Sequence, residues 1–308
     1  IIEDDPYGQL RYEGDHLPTV LSLDIEYQRK TECHRPGNVI YMSTFSKTLA
    51  PGIRLAWIIA PKDVITKIVQ AKQGADLHTA TFNQMVAYEV ARGGFLDQHV
   101  KLIRKTYGER RDVMLQAMEE HFPEGVKWTH PEGGMFLWVT LPEGINTTEI
   151  FEKAVELKVA YVPGAPFYPN EGGENTMRLN FSNATPELIR EGIERLGKLF
   201  KKELAELLKS DEGEKLYKLS SLRQEPLVLL LQEIASQAAR PDGWTLLNTA
   251  GQLIRMHAPE EMNTLYARSG YKTLKKLILA TELFDINEEP TDKGGIRVLY
   301  RMKSDMEL

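Results

Sequence analysis

Three short apolar segments within the first sixty residues constrain the fold most. Each has the length of a strand and is followed by turn or helix signals; they are Ile1–Asp4, Asn38–Phe45 and Arg54–Ala60. Apolar residues at helical spacing follow at Phe82–Ala91 and Leu96–His121. Strands followed by helices in this way predict an α/β fold.

The next segments predict a smaller α+β part. Four short strand candidates surround one predicted helix, Thr147–Leu157; the strands are Val126–Thr129, Met135–Leu141, Ala160–Val162 and Met177–Phe181. The pair Thr185-Pro186 then predicts a helix start, because threonine caps a helix and proline fits its first turn. We therefore predict a first region at residues 1–204, namely part of a large sheet domain and a small α+β domain.

A second unit follows a polar stretch. Charged and small residues accumulate at 209–215, and we predict a linker at 205–222. Three predicted helices and a candidate hairpin come next; they are Pro226–Ala239, Thr245–Met256, Tyr271–Ala280 and Gly294–Arg301. This succession predicts a winged-helix domain at residues 223–308.

Composition narrows the classes of function. The chain has 308 residues, of which 42% are hydrophobic, and this is enough for two packed units. The net charge of −6 gives no reason to expect a polyanion bound along the whole chain. The single cysteine, Cys33, excludes an intrachain disulfide and a cysteine-rich metal site, so we expect no metal and a reducing, cytoplasmic location. Apolar runs stay far below the roughly 18 residues of a membrane span. Because the sequence starts at Ile1, we expect a piece of a longer protein.

The run Ser43–Arg54 places a lysine beside two hydroxyls and an arginine. A lysine amine forms a Schiff base with an aldehyde, and hydroxyls with an arginine bind phosphate. Pyridoxal 5'-phosphate carries both an aldehyde and a phosphate. In this interpretation Lys47 holds the aldehyde and then moves the proton of the substrate α-carbon, while Thr44, Ser46 and Arg54 bind the phosphate.

Three residues elsewhere supply the other groups that such a site needs. Asp4 would keep the pyridine nitrogen protonated, so that the ring accepts electrons from the α-carbon. Tyr7 would donate a hydrogen bond to the phenolic oxygen of the ring. Arg178 would hold the carboxylate of the substrate with its forked donors.

Each of these residues also has a simpler interpretation. A lone lysine is usually a solvated surface charge, and Asp4 with Tyr7 fits an ordinary turn. Arg178 could be half of a surface ion pair worth less than about 1 kcal/mol. The functional interpretation is favoured because all of the groups occur together and in this order.

Five segments resemble those of fold-type I, class I/II aminotransferases that depend on pyridoxal phosphate. The resemblance covers about residues 1–204 and is nearest to the 2-aminoadipate, LysN-like branch; it rests on Glu3–Gly8, Ser43–Arg54, Pro131–Phe136, Val162–Phe167 and Met177–Asn183. One small departure is Ala56, where the family usually has glycine, and we expect little effect from it.

The resemblance implies amino transfer from an L-amino acid to a 2-oxo acid, with substrates of the 2-aminoadipate or broad-specificity type. It implies a homodimer and assigns the site to Asp4, Tyr7, Thr44, Ser46, Lys47, Arg54 and Arg178. It also implies that about half of the cofactor domain precedes Asp4 and forms the other wall of the pocket. We therefore expect the pocket to be incomplete in this chain.

The last eighty residues or so resemble the OST-HTH (LOTUS) domain, which implies binding to RNA or docking to an RNA-associated protein. We expect five basic residues to contact an RNA phosphate backbone, and Lys303 follows the last of them by two positions. The five are Lys272, Lys275, Lys276, Arg297 and Arg301. Acidic residues nearly balance them, and Glu288, Glu289 and Asp292 flank the predicted wing. We expect Trp244 and Tyr271 in the core.

Two hypotheses of function follow. The first is a pyridoxal-phosphate-dependent aminotransferase. The alternative is a non-catalytic protein that binds RNA, or docks to an RNA-associated partner, through its winged helix. A transcription regulator with an aminotransferase-like effector domain is a weaker third possibility, because such regulators carry a different winged helix at the other end.

Overall fold

The structure is a computed structural model that describes residues 1–31, 37–291 and 294–303. Cys33 and Asp292 lie outside these ranges. The described residues contain two separate hydrophobic cores, one built from residues 114–200 and one from residues 227–300. One core lies within residues 1–204 and the other within residues 223–308.

The first sheet has three strands in the order β1-β2-β3, and β2 pairs parallel with β1 and antiparallel with β3. The strands are β1 (Ile2–Asp4), β2 (Ile40–Thr44) and β3 (Ala56–Ile59). All three lie inside the segments predicted as strands. The α/β character of this part is thereby confirmed.

Four helices accompany this sheet: α1 (Val20–Lys30), α2 (Lys62–Ala75), α3 (Thr81–Ala91) and α4 (Phe95–His121). The sequence predicted only α3 and α4. Helix α1 is tied to β1, because the Glu3 carboxylate accepts hydrogen bonds from the amides of Val20 (2.8 Å) and Leu21 (3.0 Å). These amides have no partner within the helix, so a carboxylate stabilises its start. Since strand residues alternate between faces, Asp4 points away from α1.

The second sheet is antiparallel, in the order β4-β5-β7-β6. Its strands are β4 (Lys127–Trp128), β5 (Phe136–Thr140), β6 (Val162–Pro163) and β7 (Thr176–Asn180). With the helices α5 (Phe151–Glu156) and α6 (Pro186–Leu207) it forms what we call the second lobe, residues 126–207. The largest side chains buried between this sheet, α4 and α6 are Met118, Leu137, Met177, Phe181, Leu196 and Phe200.

The predicted linker at 205–222 is wrong as a description of structure, because most of it is helical. Helix α6 continues to Leu207, and a further helix, α7 (Asp211–Arg223), begins four residues later. The Ser210 hydroxyl caps α7 by accepting a hydrogen bond from the Gly213 amide at 3.0 Å. Acidic residues in the first turn of α7 interact favourably with the positive end of the helix dipole and so stabilise the helix. The polar run that we took for a linker is therefore the start of a helix.

The last unit, residues 226–302, is a winged helix, as predicted, and we call it the winged-helix unit. Its helices are α8 (Pro226–Gln237), α9 (Leu247–His257), α10 (Pro259–Ser269) and α11 (Leu274–Thr281). Its strands are β8 (Thr245–Leu246), β9 (Phe284–Pro290) and β10 (Ile296–Met302), with β10 antiparallel to both others. Helix α10 is an addition to the three predicted helices. None of the helices in the described ranges is long and apolar enough to cross a membrane.

Two glycines of α6 differ sharply in the space around them. A Cβ added at Gly197 would lie 2.5 Å from the backbone oxygen of His121, at the end of α4. A Cβ at Gly192 would meet nothing nearer than Val159, at 3.7 Å. We expect Gly197→Ala to lower the free energy of unfolding by about 1–3 kcal/mol, because α4 and α6 must separate. Gly192→Ala is the matched control and is expected to raise it by up to about 1 kcal/mol through helix propensity. Urea unfolding of both variants measures the difference, and equal effects would contradict this packing.

Two buried tyrosines make the stability of the protein sensitive to alkali. The hydroxyl of Tyr161 donates to the Thr147 carbonyl (2.6 Å), and that of Tyr300 donates to the Leu231 carbonyl (3.0 Å). Burial raises the pKa of both phenols above the ordinary value of 10.0. The folded state therefore keeps these protons at a pH where the unfolded state releases them.

The contribution of these two phenols to the free energy of unfolding is complete below pH 10 and is lost as the pH rises further. At pH 11 each tyrosine is expected to lower the free energy of unfolding by about 1.4 kcal/mol relative to its value below pH 10. Urea unfolding between pH 8 and pH 11 measures this slope, and Tyr161→Phe and Tyr300→Phe should each make it shallower. An unchanged slope in both variants would show that other groups cause the alkaline loss.

Candidate active site

The predicted site residues of the first sheet meet at one edge. Asp4 is the last residue of β1, Lys47 follows the end of the parallel strand β2, and Arg54 precedes the antiparallel strand β3. The carboxyl ends of the two parallel strands and the amino end of β3 therefore face the same side. Ligands of open α/β sheets bind at this edge.

Lys47 lies in a turn that its neighbours hold by hydrogen bonds. The Thr44 hydroxyl donates to the Leu55 carbonyl (3.0 Å), accepts from the Ser46 amide (3.0 Å) and lies 2.9 Å from the Ser46 hydroxyl. The amide of Leu49 donates to the Phe45 carbonyl at 2.8 Å and closes the turn. The half-buried Lys47 places its Nζ 5.7 Å from the centre of the Tyr7 ring. Within the described ranges this amine has no hydrogen bond and no ion pair.

Asp5, which the sequence analysis passed over, fixes the loop that follows β1. One of its carboxylate oxygens accepts from the Gly8 amide (2.6 Å) and the other from the Tyr41 hydroxyl (3.2 Å). Its carbonyl accepts from the Ser43 hydroxyl at 2.8 Å. The neighbouring Asp4 carboxylate is exposed and has no partner among the described residues. The two acids thus divide their tasks, since Asp5 holds the loop and Asp4 stays available to a ligand.

Arg178 lies in β7 between two aromatic rings. The centre of its guanidinium is 4.1 Å from the middle of the Phe136 ring and 4.9 Å from that of the Phe167 ring. Trp138, directly opposite Arg178 on β5, meets Phe167 edge-on at 5.3 Å. The Nε atom is buried without a hydrogen-bond partner, and no carboxylate of the described residues pairs with this guanidinium. A cation kept from water in this way is suited to an anionic ligand.

One aromatic row joins the lysine to the arginine. Tyr7 stands below the Lys47 amine and meets Phe136 edge-on at 6.0 Å, and Phe136 in turn covers Arg178. A cavity of about 510 Å³ opens beside this row and is bounded by the loop after β1 and by residues 133–136. Phe136 and Phe167 were missed as site residues, although both stand in the sequence segments that carry the resemblance.

The structure places Arg54 differently from the other site residues. Its backbone has φ 51°, in the left-handed region, and its guanidinium donates to the Pro51 carbonyl at 3.0 Å. A left-handed arginine costs roughly 1–2 kcal/mol, and such strain is common at ligand sites. Its side chain is exposed, and among the described residues no hydrogen bond joins it to Thr44 or Ser46. Of the three phosphate-binding candidates, Thr44 and Ser46 are thus joined by a hydrogen bond, while Arg54 is bonded to the Pro51 carbonyl.

Acidic partners occupy several of the basic residues of the winged-helix unit. Lys275 pairs with Glu288, and Arg301 pairs with Asp285 at 3.2 Å, directly across β9 and β10. The Arg301 guanidinium also lies 4.5 Å from the centre of the Trp244 ring. Trp244 is half-buried and does not belong to the core cluster, so the prediction that it lies in the core is wrong. Three further bases are exposed: Lys272, Lys276 and Arg297.

Comparison with known families gives two adjoining matches. The family model of aminotransferase class I and II covers residues 4–196, and that of the OST-HTH/LOTUS domain covers residues 198–296. The chain therefore belongs to the aminotransferase class I and II family, and it carries an OST-HTH/LOTUS domain after that part. Both resemblances drawn from the sequence are confirmed.

Individual relatives agree with this assignment. The chain is 50% identical over 204 residues to aromatic-amino-acid aminotransferase 1 of Thermococcus litoralis, covering 66% of this chain and 46% of the relative. It is 42% identical over 205 residues to 2-aminoadipate transaminase of Thermus thermophilus, covering 67% and 50%. The chain spans about half the length of the curated relatives it matches.

A solved structure bears on the cofactor. LysN, the α-aminoadipate aminotransferase of Thermus thermophilus, superimposes with a TM-score of 0.61 at 43% identity, covering 66% of this chain and 50% of that one. It was solved with N-(5'-phosphopyridoxyl)-L-leucine. Family membership and this bound compound indicate pyridoxal phosphate as the cofactor. The residues present fit it in part, since the Lys47 amine and the Arg178 guanidinium stand unpaired at the two ends of one row of rings and the exposed Asp4 carboxylate ends β1 at the same sheet edge as Lys47.

Proposed function

We propose that residues 1–204 supply the lysine and arginine side of a pyridoxal-phosphate-dependent aminotransferase site. The reaction would exchange an amino group between an L-amino acid and a 2-oxo acid, of the 2-aminoadipate or broad-specificity type. The observation that carries the proposal is the row from Lys47 through Tyr7 and Phe136 to Arg178. It ends in two cations that have no acidic partner among the described residues.

Four residues have distinct tasks in this site. When bound, pyridoxal phosphate supplies an electron-accepting ring that stabilises negative charge at the α-carbon of the substrate. The Asp4 carboxylate would hold the proton of the ring nitrogen, and the Tyr7 hydroxyl would donate to the phenolic oxygen. The Lys47 amine would hold the cofactor and, once released, carry the α-carbon proton. Arg178 would bind the carboxylate of the substrate, because its planar donors match two oxygens at once.

Phosphate binding would fall to Thr44, Ser46 and Arg54. Arg54 must exchange its bond with the Pro51 carbonyl for a phosphate oxygen. That exchange is favourable, because the guanidinium then pairs with a negatively charged phosphate oxygen in place of a neutral carbonyl and can donate two parallel bonds. The Thr44 hydroxyl already shapes the turn, so Ser46 is the better placed of the two hydroxyls to turn toward a ligand.

A homodimer is part of the same proposal. Helix α3 presents large apolar side chains to solvent; they are Phe82, Met85, Val86 and Tyr88. Exposed contiguous apolar residues mark contact surfaces, and a second copy is the partner that the family resemblance implies. The mass in solution tests this, and a monomer at all concentrations would contradict it.

RNA binding by the winged-helix unit remains a prediction. Its support is the OST-HTH/LOTUS match and the exposed Lys276 and Arg297. Against it stand the pairs Lys275–Glu288 and Arg301–Asp285, which neutralise two of the predicted contacts. Salt-dependent RNA binding by the full chain is the test, and no binding at low salt would leave protein docking. A cytoplasmic location is likewise still a prediction.

The experiment for the main proposal is spectroscopic. Added pyridoxal phosphate is expected to give the full chain an absorption band near about 410–430 nm, and borohydride should remove the band and fix the cofactor covalently. Peptide mapping then identifies the modified lysine. A protein that gains no band with excess cofactor would contradict the proposed function.

A further inference from the structure

We propose that the winged-helix unit is docked on the second lobe as part of one cooperative body, and that Arg223 is the residue that couples them. The two family matches adjoin at residues 196 and 198, yet α6 runs without interruption from Pro186 to Leu207. A helix that crosses this boundary is a stiff connection, unlike the flexible linker expected from a tethered module.

The turn from α6 into α7 is tightly packed. A Cβ at Gly213 would lie 2.0 Å from the Leu207 carbonyl oxygen, so only glycine allows the two helices to approach in this way. Only residues 208–210 separate the helices, and the Ser210 cap fixes the start of the second one. The direction of α7 relative to the second lobe is therefore set by local geometry.

Helix α7 lies against the loops of the second lobe. Tyr217 reaches Gly125, where an added Cβ would come within 3.1 Å of its ring. Ser220 is buried, and its hydroxyl accepts a hydrogen bond from the Glu143 amide at 3.3 Å. Leu216, an apolar residue of α7, packs near Leu207 and Gly144. One side of α7 is thus buried on the aminotransferase part.

Arg223, at the end of α7, contacts both units at once. Its Nη1 donates to the two carboxylate oxygens of Glu143 in the second lobe, at 2.7 and 2.8 Å. Its Nε donates to the Thr281 carbonyl, at the end of α11 in the winged-helix unit, at 2.9 Å. A cation at the end of a helix satisfies carbonyls that lack partners there. The Arg223 side chain is only 15% exposed, so solvent screens these contacts little.

A second polar contact lies one residue further along the chain. The Lys127 ammonium, on β4, donates to the Gln224 carbonyl at 2.9 Å. Partial desolvation of its ammonium lowers the pKa of Lys127. Beside it, Arg268 of α10 pairs with Glu225 at 3.4 Å. The junction between α7 and α8 is therefore held from both sides.

This docking links the winged-helix unit to the strand that builds the candidate active site. Glu143 follows β5 by three residues, and β5 carries Phe136 and Trp138 beside Arg178. A unit fixed to this loop adopts one orientation relative to the second lobe. We expect the two to unfold together, because opening either one exposes the buried donors and acceptors around Arg223.

Calorimetry of the full chain tests this coupling without any cofactor. The wild-type protein is expected to show one transition that includes the second lobe and the winged-helix unit. Arg223→Met is expected to uncouple them, so that the winged-helix unit melts separately and about 5–10 °C lower. The matched control is Lys218→Met on the same helix, because Lys218 is exposed and, among the described residues, pairs only with Glu214.

Two further variants keep the test decisive if Arg223→Met fails to fold. Arg223→Lys keeps the charge but cannot reach Glu143 and Thr281 together, and Glu143→Gln keeps the shape but removes the charge; both should give a smaller uncoupling. Hydrogen exchange of the α11 amides should become faster in each and stay unchanged in Lys218→Met. Two independent transitions in the wild type, or Arg223 variants that behave like the control, would overturn the proposal.

Discussion

Replacement of Lys47 by alanine is expected to abolish the pyridoxal phosphate adduct that borohydride fixes on this chain. Lys47 is the amine at the sheet edge that faces the Tyr7 ring, and it has no acidic partner among the described residues. An amine that is not in an ion pair loses no such pair when it bonds to an aldehyde, so the free-energy cost of forming the bond is smaller. The change should therefore reduce the absorption band and the reduced label to background.

The matched control is Lys67→Ala, which removes an exposed lysine of α2 that hydrogen-bonds to Gln70 on the same helix. It should leave the band and the site of labelling unchanged. The labelled peptide in the wild type should be the one that contains Lys47, at one cofactor per chain. Label spread over several surface lysines, or equal label in Lys47→Ala, would show that the reaction with aldehyde is nonspecific.

Local patterns predicted the elements of the site but not the contacts between them. The three strands, the turn with Lys47 and the segment with Arg178 were all found, because each depends on neighbours within a dozen residues. The row of rings from Tyr7 through Phe136 to Arg178 was not predicted. Tyr7 and Phe136 are far apart along the chain, and their contact depends on how the second lobe packs on the first sheet.

The missed or wrong features have similar physical causes. The polar start of α7 was read as a linker, since charge density alone does not distinguish a capped helix from a loop. The basic residues of the wing were counted as exposed charges, whereas strand register places Arg301 opposite Asp285. A one-residue shift of that register would have separated them, and the register depends on the turn and on which strand face is buried, neither of which the sequence analysis had placed.

Replacement of Arg178 by methionine is expected to weaken binding of a 2-oxo acid by roughly 30- to 1000-fold, the equivalent of about 2–4 kcal/mol. The guanidinium lies between Phe136 and Phe167, and its Nε is buried without a partner. A carboxylate that reaches it forms two charge-assisted bonds where water competes poorly. Calorimetric titration of the full chain with a 2-oxo acid, with and without pyridoxal phosphate, measures the loss.

Three comparisons separate carboxylate recognition from a general effect on folding. Arg178→Lys should fall between wild type and methionine, because an ammonium keeps the charge but loses the planar fork that the two rings orient. Phe167→Leu keeps an apolar wall but removes a ring face, which is worth about 0.5–2 kcal/mol to a desolvated cation. Arg190→Met, which removes an exposed partner of Glu120, should change nothing. Because an amine without a carboxylate makes no use of Arg178, its binding should be equal in all four variants. A parallel loss for that amine would mean that Arg178 supports the fold of the second lobe and does not select the carboxylate.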